Sequence, residues 1–174
     1  MNTLYFTGVL TGSAGKDGKV YYRPDDSMTR QEFIVALMRF LEVDADSYSG
    51  KTLPFADNAK IASWARSAMQ AAYELGYVGG SSSGGKLYAN PTAPISRQEA
   101  MVILARTQGL SENADTSALD TFPDRSKVAS WAQSALAQMV KKGIITGSNG
   151  RLNPTGNVRR AEVAKMLYAI SEQD

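Results

Sequence analysis

The chain of 174 residues contains no cysteine and no histidine. Without cysteine it can form no disulfide, no thiolate metal site and no cysteine nucleophile, and neither redox compartment is excluded. Without histidine it lacks the usual general base near neutral pH and the commonest metal ligand, so acid–base chemistry would depend on carboxylates, lysine or tyrosine. These absences argue against an enzyme, and we expect no catalytic residues, no metal site and no cofactor.

Long apolar runs and a strong charge of one sign are also missing. No run approaches the roughly 18 apolar residues of a membrane span, and residues 1–15 lack the basic and apolar regions of a signal peptide. We therefore expect no membrane span, and we expect any signal peptide to lie outside this chain. The 19 Lys and Arg are scattered among 17 Asp and Glu, which argues against a nucleic-acid partner.

An internal repeat is the main feature that the sequence does contain. A Phe-x-Asp segment and a Trp-Ala pair occur twice, offset by 67 positions, as Phe55-Ala-Asp57 with Trp64-Ala65 and Phe122-Pro-Asp124 with Trp131-Ala132. A five-residue turn bounded by glycines occurs three times, at Gly8–Gly12, Gly76–Gly80 and Gly143–Gly147. A proline followed six positions later by an arginine also occurs three times, as Pro24 with Arg30, Pro91 with Arg97 and Pro154 with Arg160.

Each unit is predicted to be a helix, a glycine-rich loop and a second helix. The first helix carries an apolar stripe that begins at Trp64 or Trp131 and ends at a glycine, Gly76 or Gly143. The second begins with a Ser/Thr-x-x-Glu capping box and continues as an apolar face. The capping pairs are Thr29 with Glu32 and Ser96 with Glu99, whereas Arg159 precedes Glu162 and predicts a weaker start. This pattern predicts an all-α fold.

The repeats divide the chain into a first unit at 1–43 that lacks its N-terminal half, a second at 52–110 and a third at 119–174, all in one globular module. Polar linkers are predicted at 44–51 and 111–121.

In this order the motifs resemble the S-layer homology family, whose repeat runs from Phe-x-Asp and Trp-Ala through a glycine turn to Thr-Arg-Ala-Glu. The last motif stands here as Thr29-Arg30-Gln31-Glu32, Ser96-Arg97-Gln98-Glu99 and Arg159-Arg160-Ala161-Glu162. The resemblance implies a pseudo-threefold helical bundle whose grooves bind an anionic, pyruvylated secondary cell-wall polysaccharide. It implies a non-catalytic anchor, located outside the cell at the wall or S-layer.

The resemblance also implies a ligand-binding role for ten residues, which are Arg30, Arg97, Arg160, Trp64, Trp131, Asp57, Asp124, Gly12, Gly80 and Gly147. Thr29, Ser96, Glu32, Glu99 and Glu162 would support them at the helix starts. The physical argument agrees, because an arginine inside a helix start can pair with a carboxylate while unpaired N–H groups and the helix dipole attract the same anion.

Each of these roles has a simpler alternative. The arginines could pair with a nearby Glu on the helix surface. Trp64 and Trp131 lie on apolar stripes, which favours a core position over a sugar platform. Asp57 and Asp124 could form a glycosidase pair, but their recurrence in equivalent positions favours a loop or capping role.

Two further alternatives concern a loop and the function. The segment 80–87 is similar to a phosphate-binding loop, but Leu87 stands where Ser or Thr is needed, so we predict a flexible loop. Tyr21, Tyr22 and Tyr88 are predicted to cover the proline turns.

The alternative function is self-assembly, in which another subunit fills the groove left by the incomplete first repeat.

Overall fold

The chain is mainly helical. A computed structural model describes residues 8–14, 16–110 and 113–173, and these contain five α-helices. The helices are α1 (Arg30–Phe40), α2 (Arg66–Glu74), α3 (Arg97–Thr107), α4 (Ser130–Lys141) and α5 (Arg160–Ser171). Two antiparallel hairpins complete the regular structure, β1 (Ser13–Ala14) with β2 (Val20–Tyr21) and β3 (Ser81–Ser83) with β4 (Lys86–Tyr88). Short 3-10 helices connect these elements.

The predicted capping boxes are confirmed at α1 and α3. The Thr29 N–H donates to Glu32 Oε2 at 2.7 Å, and the Ser96 N–H donates to Glu99 Oε2 at 2.8 Å. The Thr29 and Ser96 side chains accept the N–H groups of Glu32 and Glu99 in return. Both helices therefore begin where local hydrogen bonding dictates.

The first helices of the repeats end as predicted. Gly76 and Gly143 have φ values of +76° and +73°, the left-handed conformation that glycine adopts without strain. The start differs, because Trp64 lies in a 3-10 turn, Ser63–Ala65, and α2 begins only at Arg66. Trp131 lies at the second position of α4.

The all-α prediction missed the two hairpins. The segment 80–87, predicted as a flexible loop, forms the β3–β4 hairpin with Gly84 and Gly85 at its turn. These glycines have φ values of +55° and +72°, which suit the tight turns that match the twist of paired strands. The predicted linkers contain 3-10 helices at Ala45–Tyr48 and Ser117–Leu119, while residues 111 and 112 lie outside the described residues.

The chain divides into two compact units, Met1–Pro94 with Arg159–Ala164 and Ile95–Val158 with Lys165–Asp174. In the first, α1 packs against α2, and in the second, α3 packs against α4. The fully buried side chains of these helices include Phe33, Leu37, Met101, Leu104, Leu136 and Met139. Among the described residues, no helix combines the length and apolar character needed to cross a membrane.

Candidate ligand-binding site

The aspartates of the Phe-x-Asp motifs hold the proline turns. Asp57 is 8% exposed and accepts the N–H groups of Ala89 and Asn90, both at 2.8 Å. Asp124 is 5% exposed and accepts those of Leu152 at 3.0 Å and Asn153 at 2.8 Å. Both carboxylates thus accept backbone donors of a loop and cap no helix, so of the predicted loop or capping role the structure shows the loop role.

The charge of Asp124 is stabilised by these contacts. Burial raises the pKa of the Asp124 carboxyl, but the hydrogen bonds from the backbone N–H groups of Leu152, Asn153 and Asp124 itself, together with the charge of Arg151, lower it by more, so the pKa lies below its ordinary value. The carboxylate therefore stays ionised while it holds the turn.

The motif arginines make three equivalent contacts with the three proline turns. Nε of Arg30 donates to the Ala89 carbonyl at 2.9 Å, and Nε of the buried Arg97 donates to the Leu152 carbonyl at 3.0 Å. Nε of Arg160 donates to the Tyr22 carbonyl at 2.9 Å. Each acceptor lies two residues before a turn proline. These side chains therefore join each second helix to the turn of another repeat.

The prediction that the helix starts offer unpaired N–H groups to an anion is wrong at all three motifs. The N–H groups of Arg30, Arg97 and Arg160 donate to the carbonyls of Ala93, Gly156 and Asp26 at 3.0, 2.8 and 3.0 Å. The N–H groups of the next residues donate to the carbonyls of the turn prolines Pro91, Pro154 and Pro24. Backbone carbonyls therefore occupy the donors that would have bound an anion.

The last glycines of the turns, Gly12, Gly80 and Gly147, lie in tight contact with the hairpins or turns that follow. A Cβ on Gly80 would lie 2.6 Å from Phe55 Cε1, and one on Gly147 would lie 2.9 Å from Phe122 Cε1. A Cβ on Gly12 would lie 2.9 Å from the Tyr21 carbonyl. Only glycine fits at these positions without displacing a neighbour.

The two tryptophans are exposed, so the core position favoured for them is wrong. Trp64 is 58% exposed and Trp131 is 57% exposed. The smaller residues of their stripes, such as Ala68 and Met69, make the core contacts instead. Exposed tryptophans in the same position of two repeats are a feature of binding surfaces.

Each tryptophan lines a cavity. The cavity beside Trp64, called here the Trp64 cavity, has a volume of about 360 Å³, and Thr11, Gly12, Val35, Arg39 and Arg160 are among its lining residues. The cavity beside Trp131, called here the Trp131 cavity, has a volume of about 260 Å³, and Val102, Arg106, Leu110, Asn113 and Ser134 are among its lining residues.

The Trp64 cavity combines an aromatic surface with positive charge. Nη2 of Arg160 donates to the Thr11 carbonyl at 2.6 Å, and its guanidinium lies 5.4 Å from the ring centre of Tyr22. Nη1 of Arg39 donates to Thr11 Oγ1 at 3.3 Å. The lining carboxylate of Glu32 belongs to the capping box of α1. Both arginines add positive charge, and the cavity can receive an anionic, partly apolar group.

Sequence reasoning overlooked four residues. Gln31 and Gln98 are buried, and their Oε1 atoms accept the N–H groups of Ala62 and Ala129, both at 3.0 Å, just before the tryptophans. The other two are the cavity arginines, Arg39 and Arg106. The spacing of 67 residues, which revealed the tryptophans, relates the members of both pairs and could have found them.

Comparison with known proteins finds similar sequences in two enzymes. The chain is 33% identical over 158 residues to an amylopullulanase of Thermoanaerobacterium thermosulfurigenes, a match that covers 87% of this chain and 8% of that protein. It is 28% identical over 155 residues to the exoglucanase XynX of Acetivibrio thermocellus, covering 87% of this chain and 14% of that protein.

A third relative is a surface-layer protein. The chain is 34% identical over 94 residues to the surface-layer 125 kDa protein of Lysinibacillus sphaericus, covering 54% of this chain and 8% of that protein. The chain therefore spans less than a fifth of the length of each of these relatives. The family model of the S-layer homology domain matches residues 54–101 and 121–164, which include both Phe-x-Asp segments and both tryptophans. The chain belongs to the S-layer homology domain family.

Proposed function

We propose that this chain anchors an exported protein to the bacterial cell wall by binding an anionic secondary cell-wall polysaccharide. The observation that carries the proposal is the pair of exposed tryptophans, each in a cavity that also contains an arginine. The relatives support the setting, because they include two large polysaccharide-degrading enzymes and a surface-layer protein, each of which shares only a small region with this chain.

The chemistry of the cavities fits a charged sugar. The apolar face of a sugar ring can lie against an indole, and a guanidinium can form a bidentate pair with a carboxylate. A pyruvate ketal on the polymer would supply such a carboxylate. Two sites on one chain would bind a repeating polymer more tightly than either site alone, because the second contact is intramolecular.

The residues of the wider predicted site have two roles in this proposal. Trp64, Trp131, Gly12 and Arg160 line the cavities. Arg30, Arg97, Asp57, Asp124, Gly80 and Gly147 instead hold the proline and glycine turns of the repeats. The three motif arginines make equivalent contacts, each between one repeat and the turn of another. Recognition alone is proposed, without catalysis and at an extracellular location.

Calorimetric titration of the purified chain with wall polysaccharide tests the proposal. We expect saturable binding to the intact polymer and loss of binding after mild acid removal of its pyruvate ketals. The double variant Trp64→Ala/Trp131→Ala should also lose binding, while Tyr168→Ala, which removes a partly exposed aromatic residue away from both cavities, should retain it. A wild-type chain that fails to bind the intact polymer would overturn the proposal.

A second candidate function is self-assembly, and one surface favours it. Val20, Tyr21 and Tyr22 are 72, 43 and 41% exposed, whereas the residues equivalent to Tyr22 in the other repeats, Ala89 and Leu152, are buried. This exposed apolar group could pack against another subunit. Sedimentation of the wild type and of Val20→Lys tests it, because only assembly through this surface would give an oligomer that the lysine disrupts.

A further inference from the structure

We infer that two buried glutamines, Gln31 and Gln98, are the positioning residues of the two exposed tryptophans. Each accepts a hydrogen bond from the backbone N–H group two residues before its tryptophan, Gln31 from Ala62 and Gln98 from Ala129. The inference rests on the proposed function and deepens it, since it names what holds each indole beside its cavity. The glutamines act through the tryptophans and contact no ligand themselves.

The segments that carry the tryptophans begin without a local side-chain cap. Ala62 and Ala129 stand at the N-cap positions of the 3-10 turn Ser63–Ala65 and of α4, and neither makes a side-chain capping hydrogen bond. Alanine has no acceptor for the N–H groups of a helix start, which is why serine, threonine and aspartate are preferred there. A side chain that holds these starts must therefore come from another element.

Gln31 and Gln98 supply that contact from a second helix. Gln31 lies in α1 and Gln98 lies in α3, and each is 31 residues from the residue whose N–H it accepts. Both N···O distances are 3.0 Å, and the two glutamines are 6% and 8% exposed. The contact is equivalent to half of a capping box, in which a side chain accepts the N–H of the N-cap residue, except that the acceptor belongs to a different helix.

Each of these hydrogen bonds joins two elements that line one cavity. The Trp64 cavity is lined by its indole and by residues of α1, and the Trp131 cavity by its indole and by residues of α3. Because Gln31 and Gln98 belong to these same helices, each bond connects the segment that carries the indole to a helix that also lines the cavity. Loss of the bond frees the indole to move relative to that helix.

The exposure of the indoles makes such a hold important for binding. Trp64 and Trp131 are 58% and 57% exposed, so packing fixes little of either ring, and its position depends on the backbone that carries it. A mobile indole loses conformational entropy when a sugar ring is laid against it. An indole that is held before binding avoids that loss, which makes binding about three- to tenfold tighter.

The two segments differ in one further contact, which predicts unequal effects. In the first segment, Nη2 of Arg66 donates to the Ile61 carbonyl at 3.2 Å, so the peptide group whose N–H meets the glutamine is also held at its oxygen. Gln133 stands 67 positions after Arg66, and its Nε2 makes a longer contact of 3.5 Å with the Val128 carbonyl. Loss of the glutamine should therefore free the second indole more than the first.

A purely structural role for the glutamines makes a different prediction. A buried amide that only stabilises the fold should lower the free energy of unfolding when it is replaced, and leave the indoles and glycan binding unchanged. Gln70 is a control of that kind, because it is 5% exposed, donates to the Lys51 carbonyl and lines neither cavity. Methionine has a similar shape and only a weak acceptor, so Gln31→Met, Gln98→Met and Gln70→Met form a matched set.

The first measurement is the rotational freedom of each indole, followed by fluorescence anisotropy decay in chains that contain one tryptophan. The variant Trp64→Phe leaves Trp131 as the only indole, and Trp131→Phe leaves Trp64. Adding Gln98→Met to the former should increase the fast local rotation of Trp131. Adding Gln31→Met to the latter should give a smaller increase for Trp64, and Gln70→Met should change neither.

Two further variants act on the same hydrogen bond. Gln98→Glu keeps an acceptor oxygen and should retain most of the restriction on the indole. Ala129→Pro removes the donor instead, and proline fits the backbone because Ala129 has a φ of −61° and Val128 before it has a ψ of +121°. It should free the indole as Gln98→Met does, and the two changes together should do no more than either alone, since they break one bond.

The second measurement is calorimetric titration with wall polysaccharide of the glutamine variants in the chain that keeps both tryptophans. Gln98→Met should bind about three- to tenfold more weakly than wild type, and Gln31→Met should lose less. Gln70→Met should bind as wild type does, although its stability falls.

The outcomes separate this inference from the proposed function. If the indoles of Gln31→Met and Gln98→Met rotate no more freely than those of wild type, the inference is wrong, whether or not the polymer binds. Freer indoles with an unchanged affinity would also overturn it, as would an equal effect of Gln70→Met, which would indicate a general loosening of the fold. If wild type does not bind the polymer, the proposed function fails, and the anisotropy alone decides whether the glutamines hold the indoles.

Discussion

Asp57 and Ala89 lie 32 residues apart in the chain and are joined by a hydrogen bond of 2.8 Å from the Ala89 N–H to Asp57 Oδ1. The other oxygen, Oδ2, accepts the N–H of Asn90 at the same distance. One buried carboxylate thus satisfies two consecutive backbone donors in the turn before Pro91. Arg30 Nε also donates to the Ala89 carbonyl, so side chains hold both the N–H and the carbonyl group of Ala89.

We predict that Asp57→Asn lowers the free energy of unfolding by about 1–3 kcal/mol. The amide can accept one of the two backbone N–H groups and must present its own NH₂ group to the other, so a buried donor loses its partner. Asp44→Asn is the control, because Asp44 is exposed and makes no side-chain capping hydrogen bond. Urea unfolding followed by circular dichroism measures both, and equal stabilities would contradict the prediction.

The equivalent carboxylate predicts a pH dependence. The pKa of Asp124 lies below its ordinary value of about 4, so its contribution to stability is fully present above that unfolded-state value and is lost as the pH falls through the lower, folded-state pKa. We expect Asp124→Asn to be less stable than wild type at neutral pH, and the difference to shrink on acidification below about pH 4. A difference that stays constant with pH would contradict this.

The features that the sequence predicted well are those that depend on near neighbours. Ser96 and Glu99 are three residues apart, and the left-handed glycine Gly76 ends its helix by its own conformation, so the capping boxes and helix ends could be identified. The exposure of Trp64 could not, because the apolar pattern predicts a helix face and does not indicate whether another element covers it.

The burial of a motif arginine could not be predicted from the sequence either. Arg97 is buried, and its Nε donates to the Leu152 carbonyl, which lies 55 residues away in the chain. A motif of four residues cannot reveal that contact, so Arg97 was predicted to bind an anion at its helix start. The repeat spacing could have identified the cavity arginines, because Arg39 and Arg106 are 67 positions apart, as the two tryptophans are.

The glycine turns provide a third prediction, in which one glycine controls for another. Gly147 and Gly143 have nearly equal φ values, +74° and +73°. A Cβ on Gly147 would lie 2.8 Å from the Arg151 carbonyl oxygen and 2.9 Å from Phe122 Cε1, whereas one on Gly143 would meet nothing within 4 Å. Alanine at either position carries the cost of a left-handed conformation, about 1–2 kcal/mol.

We therefore predict that Gly147→Ala lowers the free energy of unfolding by about 1–3 kcal/mol more than Gly143→Ala does, because it adds a steric overlap to the same backbone cost. Urea unfolding of the two variants gives the difference directly. Equal losses would show that the backbone at Gly147 shifts enough to make room for the methyl group.

The start of α5 provides the last prediction, which is a gain in stability. Thr29 and Ser96 cap α1 and α3 with their hydroxyl oxygens, and Arg159 stands in the equivalent position before α5. The Arg159 N–H donates to Glu162 Oε2 at 2.8 Å, so half of a capping box is present. An arginine side chain has no acceptor for the N–H of Glu162, which donates to the Arg159 carbonyl at 3.0 Å instead, and the second half of the box cannot form.

We predict that Arg159→Thr completes the box and raises the free energy of unfolding by about 0.5–2 kcal/mol. The change removes an exposed ion pair of 3.4 Å between Arg159 and Asp25, which contributes about 0–1 kcal/mol, so the net effect remains a gain or becomes neutral. The control Arg159→Val has a similar shape and offers no hydroxyl. If the threonine variant is no more stable than the valine variant, the hydroxyl does not cap α5; a higher melting temperature for threonine alone identifies the hydrogen bond as its cause.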